Sequence, residues 1–314
     1  MLRSSSISTA VVDLLKTIDA TLLAPHHGRV NAADLAHKAD LSSLTVHDLA
    51  SERALIAGLK SITPGAEVIG EESIDADPML FANIAQSQDI WIVDPIDGTG
   101  AFTRGDPTYG IVAAFVQGGR TVQGYLYVPG VTRRGGKQVG VRQELMVVAR
   151  EHEGCFLNGQ RVSLANRALS IDLARVSFAC RNQDKAFEAV LAEGLPGYLK
   201  RNNSAYDYAS LLRGDRDAVF YSEGQNSAGA GNCPPWDHAA GVLAVTEAGG
   251  YAALPYSWYG RPYSPLQRYD RLLVAASPLL WSGVYEHVLA RAPSLCAPHP
   301  RVTARLAEPL PYSA

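Results

Sequence analysis

The chain has 314 residues, 47% hydrophobic and 19% charged, an ordinary globular composition long enough to bury one large core or two smaller ones sharing an interface. A formal net charge of −3, with no Lys/Arg run longer than a pair, leaves no electrostatic footprint for nucleic acid or an anionic membrane surface, so a small-molecule partner is expected.

Val11, Val12, Leu15, Ile18 and Leu22 recur at helical spacing and predict a first helix over residues 5–24. Asp13, Lys16 and Asp19 interrupt these apolar residues before a signal-peptide core forms, and no apolar stretch approaches the roughly 20 residues of a spanning helix, so a cytoplasmic protein is expected. Cys155, Cys180, Cys233 and Cys296 lie far apart, fit neither a zinc pattern nor a disulfide framework, and read as reduced structural thiols.

His26-His27 reads as a surface turn. A second helix is expected over 44–61, with Leu49, Ala50, Ala54, Leu55 and Leu59 on its apolar face and Pro64-Gly65 closing it. "EVIGEES" predicts a short strand running into a turn, and "DIWIVDPIDG" a buried strand with the same acidic ending. From Tyr109 the runs "GIVAAFV", "VQGYLYVPG" and "ELMVVAR" predict an antiparallel meander, with "GVTRRGGKQVG" as a hairpin connection. The Gly-Lys pair of that hairpin is not a phosphate loop, because Val131 replaces the first glycine and Gln138 the Ser/Thr. "EGCFLNGQRVSLA" is a further strand and turn.

Near Arg167 a second half begins with "RVSFACR", a helix near 184–193, and "YDYASLLRGDRDAVFY" as helix, turn and strand. Residues 222–235 are small, polar and rich in breakers, which predicts a mobile loop. "WDHAAGVLAVTEAGG" follows as a helix started after two prolines and stopped by two glycines, and the proline-rich tail after Pro293 is expected to pack loosely.

The two acidic turns are the chemical anomaly. Asp94 and Asp97 bracket Pro95-Ile96 where a strand leaves the core, so both carboxylates can face one crevice. Charges that close need solvent, a proton or a cation between them, and hard oxygen ligands suit Mg²⁺. Glu71-Glu72 repeats the pattern, and Asp237 opens a helix in the second half. Each has a plain alternative: Asp237 as a helix N-cap, Glu71-Glu72 as a solvated turn, Asp94 as a turn-initiating acid before proline. Gly98 permits close backbone approach to a ligand, a helix starting there offers free N–H groups to an anion, and the Thr99 hydroxyl can orient a water. Acids for a metal beside a phosphate cradle describe metal-assisted phosphoryl transfer.

"GEES", "WIVDPIDGT" and "WDHAAGVLAVTEAGG", in this order and at these separations, resemble the inositol monophosphatase family of Mg²⁺-dependent, often lithium-sensitive phosphatases, over about residues 5–290. The resemblance implies an α+β fold, a layered α/β/α/β/α sandwich, commonly a homodimer. It implies two or three Mg²⁺ per site: a first held by Glu71, Asp94 and the Ile96 carbonyl, a second shared by Asp94 and completed by Asp97 and Asp237, with Glu72 as a supporting acid. "LTVHD" makes Asp48 the partner of Thr99 in orienting the attacking water. "NSAYDYA" implies substrate contacts at Ser204 and Ala205, with Glu223 as acceptor for a substrate hydroxyl and Gly98 and Thr99 against the phosphate. The chain divides on this basis into an N-terminal half, 1–166, with the metal motifs, a C-terminal half, 167–293, with Asp237 and the substrate contacts, and a tail, 294–314.

Two departures stand out: Gly100 occupies the place of a second threonine, and the segment from Glu223 to Asp237 is expanded. The expected reaction is hydrolysis of a small phosphorylated polyol such as inositol monophosphate by direct water attack. A 3′(2′),5′-bisphosphate nucleotide, histidinol phosphate or a sugar bisphosphate are the alternative substrates, and a non-catalytic binding or regulatory protein is the alternative of another class. A cysteine phosphatase is disfavoured because no Cys opens a glycine-and-arginine loop; His238 and the aromatics of "YSWYGRPYSP" read as packing.

Overall fold

Helix α1 (Ser4–Ile18) forms where Val11, Leu15 and Ile18 line one face, and it runs into a wider π-helical turn, Asp19–Leu23, that turns Leu23 inward. The structure, a computed structural model, describes residues 4–31, 34–37, 43–80, 89–165, 167, 170–180, 185–200, 203–222, 233–256 and 260–296. A two-stranded ribbon, β1 (Leu35–His37) and β2 (Ser43–Thr45), leads into α2 (Val46–Ile62). Then come β3 (Glu67–Gly70), α3 (Glu71–Ala76), β4 (Asp89–Asp97), α4 (Thr99–Arg104), β5 (Gly110–Gln117) and β6 (Arg120–Val128). A hairpin of β7 (Val131–Arg134) and β8 (Lys137–Val141) precedes β9 (Leu145–Arg150), β10 (Gly154–Leu157) and β11 (Gln160–Val162). The second half holds β12 (Val176–Cys180), α5 (Phe187–Ala192), β13 (Tyr198–Leu199), α6 (Ser204–Arg213), β14 (Ala218–Ser222), α7 (Pro235–Glu247), β15 (Tyr251–Ala253), β16 (Arg271–Ala275) and α8 (Pro278–Arg291).

Seven strands form one sheet in the order β11-β10-β9-β6-β5-β4-β3, antiparallel except for the β3–β4 pair. Five form a second sheet, β13-β12-β14-β16-β15. Alternation along β5 explains the layering, because successive side chains point to opposite faces. Ile111, Ala113 and Phe115 pack with α1 and α2, while Val112 and Ala114 pack with α6, α7 and the inner face of the second sheet, including Val219, Tyr221 and Val274. The outer face of that sheet, Val176, Phe178, Phe220 and Leu273, is covered by α8 through Leu280, Trp281, Val284 and Val288. The result is the α/β/α/β/α sandwich that the family resemblance implies. All four cysteines are buried thiols outside any disulfide, and among the described residues no helix is long and apolar enough to cross a membrane.

Three local expectations are corrected. The buried face of α2 is not the Leu49 face: Leu49 is 40% exposed, and Asp48, Ser51, Glu52, Leu55 and Leu59 point inward. Polar residues take that stripe because partners on other elements satisfy them. The His26-His27 turn forms with His26 exposed, but His27 is buried; its ring packs against Phe102 and Tyr109, with Nε2 3.0 Å from the Asp106 carbonyl. The start of the tail is packed as well, since Leu295 and Cys296 sit in the α8 core; residues 297–314 lie outside the described part.

Candidate active site

Parallel pairing of β3 with β4 sets Gly70 beside Val93, so the residues that follow, Glu71 and Asp94, leave neighbouring strand ends together. On its other side β4 pairs with β5, and here the register slips: Asp94 faces Val112 but Asp97 faces Gly110. Three steps on β4 span two on β5, a bulge that bends the strand end and re-aims its side chains. Pro95 sits within it, where no ladder donor is needed. Asp94 Oδ1 accepts from Ile96 N at 2.9 Å, closing the turn locally.

Asp237 arrives from the other half. Pro234 and Pro235 start α7, and the buried Trp236 packs on Ile69, Ile90 and Ile92 of β3 and β4, which anchors the helix start against those strand ends. The Arg268 guanidinium lies over the indole, 4.4 Å from its centroid. One carboxylate oxygen each from Glu71, Asp94 and Asp237 lies within 4.8 Å of the other two. Three hard, anionic oxygens at that spacing are a donor set for a divalent cation such as Mg²⁺ or Ca²⁺.

Asp97 is buried and turned toward α6: Oδ1 accepts from Ser204 Oγ at 3.0 Å and Oδ2 from Ala205 N at 2.5 Å. Ser204 and Ala205 are thus tied to Asp97 from the start of α6. Gly98 has φ 85°, and a Cβ there would lie 2.1 Å from Asn203 Nδ2, so both backbone and neighbour demand glycine. Asn203 caps α6 by accepting from Tyr206 N at 3.2 Å, and its Nδ2 donates to the Asp97 carbonyl at 3.3 Å.

Thr99 and Asp48 meet as expected: Thr99 Oγ1 lies 3.0 Å from Asp48 Oδ1 and 3.3 Å from the Ile96 carbonyl. Asp48 Oδ2 accepts from Thr45 N at 2.7 Å and Thr45 Oγ1 at 2.6 Å, a capping box that opens α2. Burial pushes the Asp48 carboxyl up to about 6 against the hydrogen bonds from Thr45 and Thr99, with the Glu71 charge adding to the rise. Glu72 is buried beside the cluster, and Glu223 lies outside the described residues with the rest of 223–232. His238 is core, its Nδ1 3.1 Å from the Tyr208 hydroxyl.

The model of the inositol monophosphatase family matches residues 7–288. The chain belongs to this family. Over 255 residues it is 28% identical to an inositol monophosphatase of Dictyostelium discoideum, covering 78% of this chain and 84% of that protein. Over 237 residues it is 26% identical to the Nus factor SuhB of Xylella fastidiosa, covering 73% and 75%. A solved IMPase/NADP phosphatase complexed with NADP and Ca²⁺ shares the fold, with TM-score 0.69 and 19% identity over 93% of this chain and 98% of that one. Inositol monophosphatase family proteins are metal-dependent phosphatases, and this chain is accordingly a phosphoric monoester hydrolase.

Sequence reasoning missed Asn203, Thr45, Ser51 and Glu52. Thr45 carried a local signal, since Thr-x-x-Asp opens a helix much as a capping box does. Asn203 carried one too, as an Asn N-cap before α6; its bond to the Asp97 carbonyl, and those of Ser51 and Glu52, reach groups distant in sequence.

Proposed function

We propose that the protein is a Mg²⁺-dependent phosphomonoesterase acting on a small phosphorylated polyol of the inositol monophosphate type, with water as nucleophile and no covalent intermediate. The observation that carries this is the convergence of Glu71, Asp94 and Asp237 beside the Thr99–Asp48 pair. Glu71, Asp94 and the Ile96 carbonyl would hold a first Mg²⁺, and Asp94, Asp97 and Asp237 a second, with Glu72 supporting. Bound there, the metal would supply Lewis-acid polarisation of the phosphoryl group and a more acidic water.

The chain's own groups do the rest. Thr99 Oγ1 donates to Asp48, which leaves its lone pairs to accept a hydrogen bond from the attacking water and fix its direction. Asp48 is held rigid by Thr45 and so holds Thr99 in turn. The first intrahelical donor of α4 is Ala101 N, bonded to the Gly98 carbonyl. The amides of Thr99 and Gly100 precede it and are assigned to phosphate oxygens. Ser204 and Ala205 shape the substrate side while seating Asp97, and Glu223 is assigned to a substrate hydroxyl. The same proposal includes lithium sensitivity, a homodimer, a cytoplasmic setting, to which the buried thiols are suited, and a division of labour between the halves 1–166 and 167–293.

Phosphate release from inositol monophosphate, histidinol phosphate, a 3′-phosphorylated nucleotide and a sugar bisphosphate tests this, in wild type and Asp94→Asn across a Mg²⁺ titration. The polyol phosphate is expected to turn over fastest. Asp94→Asn is expected to lose more than the ~10- to 100-fold typical of residues that only support a metal ligand. Near-wild-type release by folded Asp94→Asn at saturating Mg²⁺ overturns the proposal.

A further inference from the structure

The inward face of α2 carries Asp48, Ser51 and Glu52 before it turns apolar at Leu55 and Leu59. Asp48 is committed to Thr99; the other two hold backbone. Glu52 is 4% exposed, and its carboxylate spans the first turn of α3: Oε2 accepts from Glu72 N at 2.9 Å, and Oε1 from Ser73 N at 2.9 Å and from the Ser73 hydroxyl. Helices leave their first amides unpaired, and a residue at the N-cap usually answers them. The N-cap here is Gly70, which has no side chain to do so. The cap comes instead from another helix, 20 positions back in the chain. The first residue of the helix so capped is Glu71.

Ser51 does the equivalent for the other strand end. Its hydroxyl donates at 3.0 Å to the Pro95 carbonyl, in the peptide that follows directly after Asp94-Pro95. Two consecutive residues of one helix therefore grip the two turns that present Glu71 and Asp94.

Gly70 supplies an independent sign that this grip is built in. Its φ of −111° is ordinary, so the backbone does not require glycine. A Cβ at Gly70 would stand 2.0 Å from Glu52 Oε2 and 2.2 Å from its Cδ. The missing side chain makes room for the Glu52 carboxylate.

We propose that Glu52, with Ser51, is a positioning residue that sets the spacing between the Glu71 and Asp94 carboxylates and thereby divalent-cation affinity, without touching the cation. This rests on the assignment of Glu71 and Asp94 as metal ligands. It differs from a purely stabilising cap in one respect: cation affinity falls while the metal-free fold persists.

Mn²⁺ binding, read by electron paramagnetic resonance of the free ion, is measured together with thermal unfolding of the metal-free protein. Glu52→Gln keeps the shape but places a donor where one oxygen accepted, and Gly70→Ala drives the same carboxylate off its seat. Each is expected to raise the Mn²⁺ Kd about 10- to 100-fold. The double variant is expected to be no weaker than the worse single one, because both remove the same cap. Ser51→Ala, which loses one hydroxyl, is expected to weaken binding severalfold and covers the case in which Glu52→Gln does not fold. Folded variants that bind Mn²⁺ within about twofold of wild type overturn the proposal, whatever their unfolding temperature. Absence of Mn²⁺ binding by wild type overturns the metal assignment itself, and the proposal with it.

Discussion

Gly98 and Gly100 lie two residues apart in one turn, and alanine at the two positions should behave in opposite ways. Gly98 has a left-handed backbone, φ 85° and ψ 47°, which costs an alanine about 1–2 kcal/mol. Its Cβ would also lie 2.1 Å from Asn203 Nδ2 and 2.9 Å from Cγ. Asn203 cannot yield freely, since it caps α6 and holds the Asp97 carbonyl. Losing the cap costs about 1 kcal/mol, and the hydrogen bond about 1 kcal/mol more. Gly98→Ala should therefore lose about 3–4 kcal/mol of a total that is about 5–15 for typical proteins. It should also unseat Asp97, whose two oxygen contacts come from the same helix start. Gly100 is inside α4 without a left-handed φ, and its Cβ would meet only Arg104 Nη1, at 3.2 Å, the end of an exposed side chain. Gly100→Ala should gain up to about 1 kcal/mol from helix propensity. Urea unfolding measures both, and the Gly98→Ala, Asn203→Ala pair separates the terms: against Asn203→Ala the added alanine should cost only the about 1–2 kcal/mol of backbone strain. Gly98→Ala within about 0.5 kcal/mol of wild type, the range of ordinary surface substitutions, would refute this account of the turn.

Gly100→Thr adds the hydroxyl that the family resemblance places after Thr99, at a position where a Cβ would meet only the movable end of Arg104, at 3.2 Å; Mg²⁺ activation should tighten, and an unmoved titration midpoint in a folded variant counts against a metal-linked role. Burial lowers the His27 imidazole to about 4, with the Asp106 carbonyl opposing and Arg133 and Arg134 adding to the fall. Between pH 4 and 6.5 the unfolded chain then binds more protons than the fold, so this residue's contribution is present above pH 6.5 and is lost on acidification, up to about 3 kcal/mol. Asp19, raised to about 6 by burial, runs with the opposite sign between 3.8 and 6, so the informative measurement is the difference in urea stability between wild type and His27→Phe at pH 7 and 4.5; equal acid losses in the two proteins would contradict the assignment to His27.

The strand ends were legible because their causes are local. An apolar run such as Ile90–Val93 that stops in Asp-Pro-Ile-Asp reads as a buried strand leaving its sheet, and the strand before Glu71 reads the same way. The meander was readable from β-rich runs separated by glycine-rich turns. Ser51 and Glu52 were not, because a hydrophobicity pattern assigns polar residues to solvent, and only a tertiary partner can reverse that assignment. Those partners lie 44 residues away for Ser51 and 20 for Glu52. Asp97 shows the limit from the other side. Its spacing from Asp94 marks it as an acid of the site, yet what holds its carboxylate is 107 and 108 residues downstream. That dependence has a structural consequence. Residues up to Thr99 carry Glu71, Asp94 and the Thr99–Asp48 pair, but Asp237 and the seat of Asp97 come from α7 and α6, so the set of acids is complete only with those two helices in place. Local sequence can therefore name the acids of such a site before it can say how they are arranged, and substitutions at the docking contacts, Asn203 above all, should disturb the site although they touch none of its reacting groups.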